Sequence, residues 1–366
     1  MGKKIIFTVT NDLSYDQRMI RICTSLTNAG YKVLLVGRKA KQSLPLIQQP
    51  FDQKRLNPFF QKGKLFYISF NIRLFIFLMF RKTDAICAID LDTLLPCYII
   101  SRFKNVIRIY DAHELFCEMK EIVTRPRIYG VWKRIEKLTV PKFRHGYTVN
   151  SIIADEFKKM YAVKYEVIRS IAVLENFIAI EKKEKFILYQ GAVNEGRSFE
   201  TLIPAMQFVD VPLIICGDGN FMNQARKLVS EHRLQQKIIF KGKIPPAELK
   251  WITRSASIGI TLFDNTGISN YYSLANRYFD YIHAGIPQIC VDYPAYKQLN
   301  NLYEVAVLLD NLDAASIARG LNDLLNNEIR YKELAANCEQ ARQILNWQEE
   351  EKKLVAFYQH LFSSNN

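Results

Sequence analysis

Short apolar runs alternate along this chain with segments whose apolar residues recur at helical spacing, and the alternation is gone through twice. In the first half, an apolar strand at residues 4–10 leads through a polar loop, residues 11–16, into a helix that turns Met19, Ile20, Cys23 and Leu26 inward and ends at Gly30. A second strand at residues 31–36 completes a β-loop-α-β opening, the start of a doubly wound sheet. Further strands are predicted at 85–89, 106–110, 146–149 and 165–168, with a helix at 152–160. From Phe186 the pattern restarts, with strands at 186–189, 212–216, 237–240, 258–262, 289–291 and 306–309 separated by helices. Beyond them the chain is helical, and Trp347, Leu354, Phe357, Tyr358 and Leu361 form one apolar face. The fold class predicted is α/β, with two Rossmann-like doubly wound domains facing a cleft. The first domain is residues 1–172, the second residues 173–345, and a final helix lies within 346–366. A charged stretch, residues 181–185, marks the linker.

Residues 64–80 read Lys-Leu-Phe-Tyr-Ile-Ser-Phe-Asn-Ile-Arg-Leu-Phe-Ile-Phe-Leu-Met-Phe. The uncharged run after Arg73 is only residues 74–80, far short of the ~20 residues of a transmembrane helix. Two readings are open. The segment is a buried strand followed by a buried helix, or part of it, flanked by Lys62, Lys64, Arg81 and Lys82, dips into a membrane interface.

Composition narrows the class. With 49% hydrophobic and 23% charged residues in 366, the chain is globular and long enough for two cores. Its first residues begin a strand without the apolar region and cleavage site of a signal peptide, which predicts a protein that is not secreted. Seven cysteines are scattered, most of them in apolar runs, the pattern of reduced core thiols, neither a disulfide framework nor a metal site. The net charge of +14 is one-sided. Residues 1–175 hold 30 Lys+Arg against 15 Asp+Glu, and residues 176–366 hold 20 against 21. A basic first half implies a polyanionic partner, either anionic lipid, nucleic acid or a phosphorylated substrate. Zinc spacings and a single-strand stacking platform are absent, so nucleic acid is not expected.

The candidate chemistry lies where predicted strands end. Between Thr266 and Asp292 a polar loop precedes a helix with an N-cap candidate at Ser273, apolar residues Leu274, Tyr278, Tyr281 and Ile282, and a stop at Gly285 and Pro287. Its open N-terminus suits phosphate. Arg277, in the first turn, opposes the helix dipole by a few tenths to about one kcal/mol, a conflict that a bound anion removes. In the first half, Asp111, His113 and Glu114 close a predicted strand at the carboxyl edge of the sheet, where α/β folds bind ligands, and His113 suits general acid/base work near neutral pH. Asp90-Leu-Asp92 matches a metal-binding Asp-x-Asp, as any two acids at that spacing do. The first loop lacks Gly-x-Gly-x-x-Gly, so an ordinary dinucleotide site is not indicated.

Three pieces of the second half resemble the nucleotide-binding domain of GT-B glycosyltransferases of the family 4 type, glycosyl transferase group 1. They are Tyr189-Gln-Gly-Ala-Val-Asn-Glu-Gly-Arg197, Cys216-Gly-Asp-Gly219, and the stretch from Ser273 to Pro287. Residues 11–18 and 110–114 also look like the N-terminal domain of a subgroup of these enzymes. The resemblance implies a nucleotide-diphospho-sugar as donor, bound by Gly191, Arg197, Gly217, Gly219, Ser273, Leu274, Arg277 and Asp280. Asp280 would hold the ribose, Arg197 and Arg277 the diphosphate, and His113 would face the donor sugar, making His113, Arg197 and Arg277 the expected catalytic residues. Asn11, Asp12, Arg18, Asp111, Glu114 and Tyr272 are the expected acceptor or sugar contacts. No cofactor and no metal are expected, and the final helix would cross back to the first domain. The chain departs from the pattern at Tyr272, which stands where the family's first signature Glu is usual, and at Ala192, in place of a first Arg.

The function expected is transfer of a sugar to a lipid-linked or polysaccharide acceptor, probed further by location: cytoplasmic, at the inner face of the plasma membrane, with the basic half against anionic lipid. A nucleotide-sugar epimerase on the same fold and a non-catalytic basic binder are the competing readings.

Overall fold

The computed structural model describes residues 2–14, 16–176 and 185–364, so residues 181–184 of the predicted linker lie outside it. The chain divides into two compact units, one of Met1–Ser170 with Gln348–Asn366 and one of Ile171–Trp347.

The first unit is built on strands β1 (Lys4–Asp12), β2 (Lys32–Arg38), β3 (Asp52–Leu56), β4 (Ala85–Ile89), β5 (Ile107–Ala112), β6 (His145–Thr148) and β7 (Glu166–Val167). They pair in the order β3-β2-β1-β4-β5-β6-β7, every pair parallel. The second unit holds β8 (Ile187–Gln190), β9 (Leu213–Cys216), β10 (Ile238–Gly242), β11 (Ile258–Thr261), β12 (Gln288–Val291) and β13 (Ala306–Leu309). Their order, β10-β9-β8-β11-β12-β13, repeats the same winding, again all parallel. Parallel strands covered by helices on both faces need apolar residues at successive positions, and β4 is buried at every residue. Strand order reverses between β1 and β4 and between β8 and β11, and each reversal opens a crevice at the carboxyl edge.

Two elements differ from the sequence expectation. β3 has the sequence Asp-Gln-Lys-Arg-Leu and lies at the sheet edge, held by backbone pairing to β2, so no apolar run announced it. Residues 63–79 are one helix, Gly63–Met79, with no strand at its start. Phe66, Phe70, Leu74 and Leu78 recur every four residues and seat one stripe of it in the core, a period no strand can present. Among the described residues, no helix is long and apolar enough to cross a membrane.

The last helix, Trp347–Ser363, packs from Gln348 onward within the first unit. The Tyr358 ring lies 6.2 Å from Phe7 and 6.1 Å from Tyr31, and Glu350 takes the Arg169 backbone N–H at 2.8 Å. All seven cysteines are buried and none forms a disulfide.

Candidate functional site

In the second unit the site starts from how one short helix, Asn276–His283, is seated. Tyr278, Phe279, Tyr281 and Ile282 are buried. The Tyr281 ring lies where any side chain on Gly259 of β11 would be, and its hydroxyl donates to the Leu188 carbonyl at 3.0 Å. That anchor fixes Arg277, one turn earlier on the same stripe, at the carboxyl ends of β8 and β11, the crevice where strand order reverses. Arg277 is 7% exposed, and its Nη1 donates to the Gln190 carbonyl at 3.1 Å. The guanidinium lies 4.5 Å from the Tyr189 ring and 4.7 Å from the Phe263 ring. Arg197, on the loop after β8, lies 4.5 Å from the same Phe263 ring and donates to Asn270 Oδ1 at 3.2 Å.

One aromatic ring therefore carries two guanidiniums. Among the described residues no carboxylate pairs with Arg277, and its Nε has no partner. A buried cation without a counter-charge costs several kcal/mol, which the fold bears here and an anion would return. Phe263 was not signalled by the sequence, because a Phe after a buried strand reads as core. Gln190 was legible in retrospect as a polar residue closing an apolar strand. It is buried, donates to Asp280 Oδ2 at 2.8 Å and accepts from Thr253 Oγ1 at 2.7 Å, which holds Asp280 three residues past Arg277.

The helix begins two residues later than an N-cap at Ser273 predicts. Ala275 is its N-cap, without a side-chain cap bond, and the first unpartnered amides of an α-helix fall at Asn276 and Arg277. Ser273 instead closes the preceding turn, Ile268–Tyr271, its hydroxyl donating to the Asn270 carbonyl at 2.8 Å. Leu274 is a buried apolar contact, and the Tyr272 ring lies 5.4 Å from Tyr271.

The glycines do two different jobs. Gly191, with φ of 120°, faces Arg277, whose Nη1 would lie 3.5 Å from a Cβ there. Gly217, with φ of 151°, backs onto the Gly191 carbonyl so closely that a Cβ would run into it, and Gly219 backs in the same way onto Val193 and Asn194. Gly217 and Gly219 thus brace the loop that carries Gly191. Gly217→Ala is expected to cost ~2–3 kcal/mol through strain and forced loop movement. A thermal melt of the variant checks it, and an unchanged transition would refute the bracing role.

In the first unit the strand-end residues form a buried charge cluster. Asp111, fully buried on β5, pairs with Arg18 Nη2 at 2.8 Å and lies 3.3 Å from His113 Nε2. Asp90, at the end of β4, accepts from the His113 backbone N–H at 3.0 Å and lies 3.2 Å from its Nδ1. Arg18 Nε is 2.7 Å from His113 Nε2. Arginine can only donate, so in this arrangement Nε2 accepts and the ring proton sits on Nδ1, toward Asp90. Burial lowers the His113 pKa, but Asp90 and Asp111 outweigh burial and Arg18 and lift it above the ordinary histidine value. A second proton thus requires Arg18 to leave Nε2, since two donors cannot face each other at that distance. The neighbouring Asp12 is tied to Arg55 at 2.7 Å and to the Ser14 amide at 3.2 Å, and Asn11 donates to Asp16 at 3.0 Å. Glu114 is half-buried beside His113. Asp92 accepts from Thr10 Oγ1 at 2.5 Å, and burial followed by Asp90 raises its carboxyl to about 7.

Comparison with known proteins agrees with this geometry. The profile of the family "Glycosyl transferases group 1" matches residues 172–343. A search of the curated proteins finds no match. Among solved structures, the sucrose-phosphate synthase of Thermosynechococcus elongatus superposes with a TM-score of 0.83 at 16% identity, over 99% of this chain and 100% of that one. Anabaena HepE, solved with UDP and glucose, gives 0.76 at 12%, over 98% and 100%. WaaG, a glycosyltransferase involved in lipopolysaccharide biosynthesis, gives 0.71 at 10%, over 96% and 98%. Residues 172–343 are a glycosyl transferases group 1 domain, and the chain that carries them is a glycosyltransferase of the GT-B fold.

Proposed function

We propose that this enzyme moves a sugar from a nucleotide-diphospho-sugar to an anionic lipid-linked or polysaccharide acceptor, without a metal and with retention of configuration. The observation that carries this reading is the pair Arg197 and Arg277 on one Phe263 ring, with no carboxylate on Arg277 among the described residues. Two guanidiniums supply the charge that a leaving diphosphate needs, the role a divalent cation otherwise takes. Gly191 lets the backbone approach the phosphates, the amides of Asn276 and Arg277 add donors, and Asp280, steadied by Gln190, takes the ribose hydroxyls. Residues 173–345 thus serve the donor. Residues 1–172, with the final helix within 346–366, serve the acceptor, and the His113 cluster is their reactive group. The UDP and glucose held by Anabaena HepE support a donor of this class. Retention follows from family resemblance alone, and location at the cytoplasmic membrane face from the basic first half.

Melting the protein with UDP, GDP and ADP, each free and as the glucose conjugate, tests the donor. One nucleotide series is expected to stabilise by about 2.7 kcal/mol at a hundred times its Kd, with the shift unchanged in EDTA. No shift from any series would remove the donor assignment, and a shift erased by EDTA would remove metal independence.

A further inference from the structure

The helix Gly63–Met79 has two apolar stripes. One is buried as described above. The other carries Leu65, Ile68, Ile72, Ile76 and Met79, with Ile68 and Ile72 each 55% exposed and Ile76 51% exposed. These positions fall on one side of a helix about 25 Å long at 1.5 Å per residue. A helix apolar all round is normally covered on both sides. A contiguous apolar stripe of this length on a soluble surface marks an interaction site.

Its charge surroundings select the partner. No Asp or Glu occurs between Asp52 and Asp84, nor between Asp92 and Asp111. Exposed Lys62 and Lys64 stand at one end of the stripe and exposed Arg81 and Lys82 at the other. The helix packs against Leu94–Lys104, whose Lys104 donates to the Leu78 carbonyl at 2.8 Å and whose Phe103 is 82% exposed. A second copy of this chain would bring the same cations against themselves. A bilayer with anionic headgroups offers acyl chains to the stripe and negative charge to both ends.

We infer that Gly63–Met79 lies flat in the headgroup boundary of an anionic membrane, with Leu65, Ile68, Ile72, Ile76 and Met79 inserted and the four flanking cations on lipid headgroups. The docking deepens the acceptor reading above. The same helix is fastened to the loop after β4 by Asn71, which donates to the Asp92 carbonyl at 2.9 Å, two residues from the Asp90 that holds His113. A membrane-bound acceptor would be met by the unit that carries both this helix and the His113 cluster.

Flotation with vesicles tests the surface without any sugar nucleotide, so its outcome is independent of the donor assignment. The wild type is expected to float with vesicles of phosphatidylcholine and phosphatidylglycerol, to ignore pure phosphatidylcholine, and to be released as salt is raised. The triple substitution Ile68→Ser, Ile72→Ser, Ile76→Ser should lower the partition coefficient about 100-fold. Each of Lys62→Gln, Lys64→Gln, Arg81→Gln and Lys82→Gln should lower it about fivefold. All these side chains are exposed, and melting curves of the variants should match the wild type. The inference is overturned if the wild type does not float, or if the triple variant floats as well as the wild type. It is equally overturned if light scattering shows a dimer that the triple substitution dissolves, which would make the stripe a self-contact.

Discussion

Arg277→Met should lower kcat/KM by about 10²–10³-fold, ~3–4 kcal/mol of transition-state stabilisation, while the protein melts no lower than the wild type. The two effects have opposite signs for one reason. Arg277 is buried against Tyr189 and Phe263 with no carboxylate among the described residues, so without a ligand it is a charge held at a cost. A thioether of similar length keeps the packing against both rings and removes that cost, against the loss of one hydrogen bond to the Gln190 carbonyl worth about 1 kcal/mol. Arg277→Lys should recover little activity, since an ammonium cannot stack on the rings and contact two phosphate oxygens at once. Steady-state kinetics and a melting curve on the same preparation decide the matter. Unchanged turnover with a melting temperature several degrees lower would make Arg277 a structural cation and end its assignment to the donor.

Asp111→Ala should have the largest effect on stability, with a loss of ~3–5 kcal/mol from the first unit. Asp111 is fully buried, and its removal leaves the Arg18 guanidinium, itself 5% exposed, without its carboxylate, and His113 without one of its two acids. At about 2–4 °C per kcal/mol for units of this size, the melting transition should fall by about 6–20 °C. Acid gives the signature. Burial alone would raise the Asp111 pKa, but Arg18 and then His113 overcome it and hold the group below its usual value. Its contribution is therefore complete above the unfolded pKa of about 3.9 and is lost as pH falls through the lower folded value. The gap between wild type and variant should be constant near neutrality and narrow below about pH 4. A gap that stays the same down to pH 3 would place the cost in the lost side-chain volume and not in the charge.

The sequence by itself determined the architecture. In each half, short apolar runs without alternation read as strands buried on both faces and the helically spaced segments between them as their covers, the pattern of a parallel doubly wound sheet. The positions of Arg277, Asp280 and Gly285 relative to one another are equally local. Asp280 and Arg277 share a helix face by spacing, and Gly285, with φ of 65°, ends the helix because few other residues take that conformation. Tertiary structure decided what no local rule contains. Ser273 has the composition of an N-cap, but a preceding turn claims its hydroxyl, so the helix starts at Asn276. β3 is polar and exists because β2 offers it an edge. The stretch after Gly63 could be divided or continuous until the core took every fourth residue of it. Arg18 is expected from the resemblance to contact acceptor or sugar, and only the folding of β5 against its helix makes it the buried partner of Asp111. Most consequential is Phe263, which joins Arg197 to Arg277 across residues remote in sequence. Spacing along the chain can state which cations exist. Which of them share a ring, and which lack a counter-charge, depends on strand order and burial, and those belong to the fold as a whole.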